Sequence, residues 1–174
     1  MSDLSSQKHK YRALVERYDS LVKGCEIHQE HIQWDLQELA AVMPMTVEQL
    51  NQLPRPQLAI LDQYVFRFSK LQDALGNKLF PAIMGLLNEE EVRMPWADIA
   101  DQLEKYGVLK SAEDWGLMRE ARNELAHDYP LDDDMKVASL NAIYKYTSDL
   151  LEIFQQAKSF AEPYRQRLLS KLAR

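Results

Sequence analysis

The feature that most constrains the fold of this chain is a long run of regularly spaced apolar residues between Pro56 and Leu87. They recur at intervals of three and four, which places them on one face of an α-helix: Leu58, Leu61, Val65, Phe68, Leu71, Leu75, Leu79, Ile83 and Leu86. Such a stripe suits a partner surface, but burial in a helical bundle is its more common meaning and the one that we favour. Pro81 is expected to kink this helix near its end, because the ring removes a backbone donor and crowds the previous turn.

Similar stripes predict two helices in the N-terminal third of the chain. The first extends from Leu4 to Lys23 and the second from Glu26 to Met43, with Gly24 as the stop between them. Thr46-Val-Glu-Gln49 has the pattern of a capping box and predicts a single helical turn. Pro54-Arg-Pro56 then breaks the helical pattern, and we interpret it as a loop within one domain.

Helical patterns also fill the C-terminal half. Pro95 to Tyr106 predicts a short helix, and Ser111-Ala-Glu-Asp114 resembles a capping box that begins another. A final long helix is predicted from about Met135 until Pro163 kinks or divides it. The basic tail from Tyr164 could contact RNA or a partner, but cations near a helix C-terminus also simply stabilise the helix, which is the interpretation that we favour. No strand pattern is present, so the sequence predicts an all-α, antiparallel helical bundle.

The totals predict one domain without a membrane span. A chain of 174 residues, 46% of them hydrophobic, has room for one core, and we expect a single domain over 1–174 in which 1–55 form an N-terminal helical pair. No apolar run is long enough for a membrane span, and no apolar block follows a basic start, so neither a span nor a secretory signal is expected. The single cysteine, Cys25, excludes an internal disulfide framework and favours a cytoplasmic location. We interpret it as a small residue at a helix end.

The histidines of the N-terminal region do not predict a metal site. His28 and His31 are three residues apart, a spacing that could hold a metal, but no further histidine or cysteine accompanies them as structural zinc requires. We therefore predict solvated histidines and no metal or other cofactor.

The segment with the most chemical potential is Arg122-Asn-Glu-Leu-Ala-His127-Asp-Tyr129-Pro130, at the end of a predicted helix. Arginine offers a permanently charged fork suited to phosphate, histidine exchanges a proton near neutral pH, and a phenol can be modified. His127 follows Arg122 by five residues, or about 140° around a helix, so the two side chains do not share a face. If both contact one phosphate, either the last turn is distorted or a second copy of the chain contributes. We favour the second arrangement, a composite cleft in a homodimer.

These residues resemble the signature of the HEPN superfamily, Arg, four residues, His, one residue, Tyr, and in particular that of its HepT-like toxins. Asn123 matches the common form of the motif, and Trp115 and Met118 match positions upstream of it. The resemblance covers about 56–160 and implies a HEPN-like helical bundle that forms homodimers.

The resemblance also implies a metal-independent endoribonuclease with Arg122 and His127 as catalytic residues. In that scheme His127 exchanges a proton with the ribose 2′-hydroxyl or the leaving oxygen, and Arg122 steadies the negative charge that grows on the phosphate. The products would be a 2′,3′-cyclic phosphate and a 5′-hydroxyl. Asn123 would have a supporting role, orienting the motif.

Tyr129 has a separate role in HepT-like systems, where a partner nucleotidyltransferase of the MNT type attaches AMP to the tyrosine of the motif. The chain would then be the toxin of a toxin–antitoxin pair, switched off because a charged, bulky nucleotide lies next to Arg122 and fills the space that RNA needs. Two alternatives stay open: a non-catalytic helical module that binds such a nucleotidyltransferase, and a plain helical dimer used for assembly.

The net charge of −6 limits how this chain could bind RNA. Broad nucleic-acid-binding surfaces gain affinity from many lysines and arginines, and an acidic chain argues against one. A ribonuclease with this composition requires either a small footprint on its substrate or a local basic patch against an acidic background.

Overall fold

The computed structural model describes residues 2–126 and 132–173, and no described residue is in a β-strand. The α-helices and one π-helical turn follow in this order: α1 (Ser2–Glu38), α2 (Val47–Gln52), α3 (Arg55–Ala74), the π-helical turn (Leu75–Leu79), α4 (Phe80–Asn88), α5 (Trp96–Lys105), α6 (Ala112–Ala126) and α7 (Asp133–Leu172). The prediction of an all-α protein is confirmed. Within the described ranges, no helix combines the length and the apolar character needed to cross a membrane.

The described residues belong to two compact units, and each unit is assembled from segments that are far apart in the sequence. The first unit comprises Met1–Glu26, Asp73–Ala112 and Glu152–Arg174, and the second comprises Ile27–Gln72 and Glu113–Leu151. Helices α1 and α7 contribute residues to both units. The motif helix α6 belongs to the second unit, apart from its first residue. The single domain over 1–174 with a helical pair over 1–55 stays a prediction.

The second unit is built around the apolar stripe of α3, of which three residues are buried as predicted while Leu58 and Val65 are half-buried. Leu61, Phe68 and Leu71 are almost completely shielded from solvent. Buried hydroxyls also join α3 to α7: Tyr64 and Thr147 are 2.5 Å apart, and the Thr147 hydroxyl donates to a backbone carbonyl of its own helix at 2.8 Å. Since that hydroxyl has one hydrogen, Tyr64 is the donor to Thr147.

The loop before α2 follows its predicted pattern and is tied to α7. The Thr46 hydroxyl accepts from the backbone N–H of Gln49, and the Gln49 side chain accepts from the backbone N–H of Thr46, which completes the capping box. Next to it, Met45 and Asn141 exchange two hydrogen bonds, at 2.8 and 2.9 Å. The capping box predicted at this position is confirmed.

The predicted helix stop at Gly24 is wrong, because α1 continues through it to Glu38. A glycine inside a helix costs about 1 kcal/mol relative to alanine, and burial of the apolar face on either side outweighs that cost. Cys25 is therefore not a helix-end residue. It is fully buried in the interior of α1, and burial raises the pKa of its thiol to about 12.

Pro81 and Pro163, the two prolines expected to interrupt helices, do not end the helical structure around them. Before Pro81 the helix widens into the π-helical turn, in which the Phe80 N–H donates to the Leu75 carbonyl, five residues back. This wider turn accommodates the ring of a residue that cannot donate to Asn77, and α4 then continues to Asn88. Helix α7 is not divided at Pro163.

Candidate functional site

The motif helix α6 is held by two buried side chains, Trp115 and Met118, which are almost completely shielded from solvent. The helix begins at Ala112, where the sequence predicts a start after Ser111, and two acidic residues occupy its first turn. Negative charge there interacts favourably with the helix dipole. The upstream positions that carry the family resemblance are thus core residues, which fix the rotation of α6 about its own axis.

Arg122 follows Trp115 by seven residues and Met118 by four, so its side chain leaves α6 on the buried side. The residue is half-buried, and its Nε atom is shielded from solvent. Asn123 is exposed, as is Arg119, three residues before Arg122 on the same helix. The structure therefore separates two arginines of α6: Arg119 is solvated, and Arg122 is partly withdrawn from water.

Hydrogen bonds within the second unit hold Glu124 of α6 and the start of α7. Ser139 of α7 is buried and donates to the Glu124 carboxylate of α6 at 2.6 Å. Asn51, at the end of α2, donates to Asp133 at 3.1 Å, and the Asp132 carboxylate accepts from the Met135 N–H at 2.8 Å. These bonds hold Glu124, which is part of the motif, and the chain at the start of α7.

His127 and Tyr129 lie outside the described residues, so the structure does not test their placement. The geometry of Arg122 relative to His127, and the composite cleft of a homodimer, stay predictions. Of the four site residues predicted from the sequence, the structure describes Arg122 and Asn123, which are adjacent and differ in exposure.

Sequence reasoning missed a polar cluster between α1 and α3. Asp35 is fully buried and accepts from Gln63 at 2.7 Å, while its second carboxylate oxygen has no hydrogen-bond partner among the described residues. Arg67 donates to the His28 ring at 3.3 Å. His28, which the sequence predicts to be solvated, is half-buried. The cluster could not be found from spacing alone, because its partners come from another helix.

Burial and neighbouring charge shift the pKa values in this cluster. Burial raises the pKa of Asp35, although the hydrogen bond from Gln63 and the nearby positive groups oppose that change. Burial also lowers the pKa of His28, and the charges of Arg67, His31 and Lys70 lower it further. Among the described residues, no three histidine, cysteine or acidic side chains lie together as ligands for a metal ion.

A groove of about 630 Å³ lies in the first unit between α1 and α7, but it is poorly suited to RNA. Its lining contains three carboxylates and three cations: Asp19, Glu26, Glu162, Lys23, Lys158 and Arg165. Lys158 pairs with Glu26 at 2.6 Å. A charge-balanced groove of this kind offers little attraction to a phosphate backbone.

The basic tail is also neutralised within the first unit. Arg165 donates two hydrogen bonds to Asp19, at 2.6 and 2.9 Å, and Lys171 contacts both Glu89 carboxylate oxygens, at 2.7 and 2.5 Å. Arg167 pairs with Glu89 at 3.1 Å. These contacts agree with a stabilising role for the tail.

Comparisons of the chain with models of protein families, with curated proteins and with solved structures give no match.

Proposed function

We propose that the chain is a metal-independent endoribonuclease of the HEPN type, acting in the cytoplasm, with Arg122 and His127 as its catalytic residues. The observation that supports this most directly is the partial burial of Arg122 on a helix whose rotation is fixed by core residues. A guanidinium that is partly withdrawn from water interacts more strongly with a phosphate than a fully solvated one does. Asn123, exposed beside it, supports the motif.

The chemistry is acid–base catalysis with charge stabilisation. His127 removes the proton of the ribose 2′-hydroxyl, whose oxygen attacks the adjacent phosphorus. The bond from phosphorus to the 5′-oxygen of the next nucleotide breaks, and that oxygen takes a proton from water. Arg122 stabilises the negative charge on the phosphate oxygens during this step. A positioned acid–base group contributes about 10²–10⁴ in rate, and an aimed cationic donor about 10²–10³.

Cleavage of a fluorescently labelled RNA in the presence of EDTA tests this assignment. His127→Ala should lower kcat by about 10²–10⁴ and Arg122→Ala by about 10²–10³. Arg119→Ala is the matched control, because it removes an exposed arginine from the same helix and should leave kcat unchanged. The products should end in a 2′,3′-cyclic phosphate and a 5′-hydroxyl. Equal activity of the native chain and the Arg122 and His127 variants would contradict the assignment.

The catalytic site is composite, with Arg122 from one protomer and His127 from its partner. Mixing the inactive Arg122→Ala and His127→Ala proteins should then restore about a quarter of the native activity, because half of the dimers are mixed and each mixed dimer has one intact site. If both residues act within one protomer, no dimer of the mixture has an intact site, and the mixture stays inactive. A monomeric protein in light scattering would contradict the composite site.

Tyr129 is the proposed acceptor of AMP from a partner nucleotidyltransferase of the MNT type, which neutralises the chain as a toxin. Tyr129→Phe should abolish labelling by such an enzyme and leave cleavage of RNA intact. Tyr106→Phe, on exposed Tyr106, is the matched control and should leave labelling unchanged. Labelling of another residue would contradict this role. Expression without toxicity, combined with tight binding to the nucleotidyltransferase, would favour the non-catalytic binding module.

A further inference from the structure

Three large apolar side chains are exposed on the two helices of the second unit that enclose the polar cluster. Ile27 and Trp34 of α1 are 53% and 47% exposed, and Phe66 of α3 is 51% exposed. Ile27 and Trp34 are seven residues apart and lie along one line of α1, with His31 between them. Two exposed aromatic rings within one small region are unusual on a surface that contacts only water.

The hydrogen bonds of the polar cluster place these side chains at matching levels of two adjacent helices. His28 bonds to Arg67, and Asp35 to Gln63, so the later residue of α1 pairs with the earlier residue of α3. The two helices are therefore antiparallel at this point. Phe66, next to Arg67, lies at about the level of His31, between the levels of Ile27 and Trp34. We call Trp34, Phe66 and the adjoining His31, Arg67 and Lys70 the α1–α3 face.

The cations of the α1–α3 face are clustered at an aromatic ring. The Arg67 guanidinium lies 5.6 Å and the Lys70 ammonium 5.4 Å from the centre of the Phe66 ring. Among the described residues, neither cation forms an ion pair. The carboxylate of the cluster, Asp35, is buried and presents little charge to solvent. Burial lowers the pKa of His28, and the positive charges of Arg67, His31 and Lys70 lower it further.

We infer that the α1–α3 face binds a single-stranded segment of RNA, with Trp34 and Phe66 stacking on bases and Arg67, Lys70 and His31 contacting phosphates. Exposed aromatic rings beside cations are the general means by which proteins bind single strands without reading their sequence. Glu30 and Asp62 are exposed on the same two helices, and their carboxylates repel phosphates. The phosphates therefore lie on the side of Arg67 and Lys70. The inference rests on the proposed function, because it takes RNA as the ligand.

A protein partner is a weaker explanation of the α1–α3 face. The centres of protein interfaces are depleted in lysine, and here a lysine lies at the ring of Phe66. The face also supplies the small basic footprint that a chain with a net charge of −6 needs in order to bind RNA.

Binding is tested with the full chain carrying Arg122→Ala, which prevents cleavage during the measurement. The probe is a fluorescein-labelled oligouridylate of about 12 nucleotides, followed by fluorescence anisotropy at low salt. Trp34→Ala and Phe66→Ala should each weaken binding at least about fivefold. Lys70→Gln should lower the dependence of log Kd on log salt by about 0.7, the value for one phosphate contact on a single strand. Tyr106→Ala and Lys105→Gln, which change an exposed aromatic residue and an exposed lysine of the first unit, are the matched controls.

The outcomes separate this inference from the ribonuclease assignment. Binding that depends on Trp34 and Phe66, in a chain whose native form cleaves no RNA, would support the face and contradict the ribonuclease. Unchanged affinity in folded Trp34→Ala and Phe66→Ala proteins, together with unchanged KM for cleavage, would overturn the face and leave the ribonuclease. Unchanged RNA affinity with conversion of a dimer to a monomer would also overturn it, and would assign the face to contact with a second copy.

Discussion

Two regions of this chain are rich in cations, and the structure treats them in opposite ways. In the C-terminal tail, Arg165 and Lys171 are held by carboxylates of the same unit. On the α1–α3 face, Arg67 and Lys70 surround an exposed aromatic ring, and Asp35, the carboxylate of the polar cluster beneath it, is buried. The tail is the more basic sequence, but the α1–α3 face is the more available cationic surface.

The positive charge that is available for binding therefore depends on pairing in the tertiary structure and not on local composition. A cation whose carboxylate partner is already in place gains little from a phosphate, because the existing ion pair must first be separated. For an acidic protein, the few cations without such a partner are therefore the better guide to a nucleic-acid-binding surface.

We expect the largest change in the free energy of unfolding when the carboxylate that holds the tail, Glu89, is removed. Glu89 accepts from Tyr11 at 2.8 Å and pairs with Arg167 and Lys171, and its side chain is only 23% exposed. Glu89→Gln should lower the free energy of unfolding by about 1–2 kcal/mol at pH 7, since a network of three partners exceeds a single surface pair. Chemical denaturation of both proteins measures the difference.

The pH dependence of that loss has a definite sign. Hydrogen bonds from Lys171 hold the pKa of Glu89 below its ordinary value of 4.5. The stabilisation is therefore complete above pH 4.5 and is lost as the pH falls through the lowered pKa of the folded state. The native protein and Glu89→Gln should converge in acid. A difference that persists there would mean that the network does not act through the Glu89 charge.

Beneath the α1–α3 face, removal of the Asp35 charge should raise the free energy of unfolding, whereas removal of the Glu89 charge lowers it. Because Asp35 is buried, its pKa in the folded state is raised above the ordinary value of 3.8, and its ionised form costs stability at neutral pH. Asp35→Asn should raise the free energy of unfolding by about 1 kcal/mol at pH 7. The gain should be absent below pH 3.8, develop as the pH rises from 3.8 to the raised pKa of the folded state, and be complete above that pKa. Asp62→Asn, at an exposed position of α3, should change nothing.

A pair of lysine substitutions compares the two regions directly. Lys171→Gln should lower the free energy of unfolding by about 0.5–1 kcal/mol and leave RNA affinity unchanged, because Glu89 already neutralises that charge. Lys70→Gln should do the reverse, weakening RNA binding with less than about 0.5 kcal/mol of change in stability. Anisotropy and denaturation on the same preparations give both values. Equal loss of RNA affinity in the two variants would remove the distinction.

Glycine substitutions should change the free energy of unfolding least, and the first of them lies in α1, which contributes residues to both regions. A Cβ added at Gly24 meets nothing within 4 Å, so Gly24→Ala should raise the free energy of unfolding by about 0.5–1 kcal/mol without changing RNA affinity. Gly107 has a φ of +71°, and Gly107→Ala should instead destabilise the protein by about 1 kcal/mol. Thermal unfolding distinguishes the two. Destabilisation by Gly24→Ala would mean that its position in α1 needs a flexible residue.

Much of the fold was predictable because it depends on periodicity. The apolar stripe of α3 and α4 and the capping box at Thr46 follow from spacings between residues that are close in sequence. The stop at Gly24 was wrong because a local cost of about 1 kcal/mol does not outweigh the burial of a long helix.

The candidate site was less predictable, because its properties depend on contacts between helices. The seven-residue spacing predicts that Arg122 lies on the same side of α6 as Trp115, but the partial burial of Arg122 follows from the packing of the unit. His28 and His31 were considered as a metal pair, yet His28 contacts Arg67 from another helix. Neither the burial of Asp35 nor the exposure of Trp34 and Phe66 can be deduced from the residues that adjoin them in sequence.

The interleaving of the two units has a consequence for how such a gene can change. The chain passes from one unit to the other four times, after Glu26, Gln72, Ala112 and Leu151. No contiguous fragment contains a whole unit and nothing else, because a fragment that holds all of the second unit, 27–151, also holds residues 73–112 of the first. Recombination that transfers the whole second unit, with Arg122, Trp34 and Phe66, therefore carries part of the first unit with it.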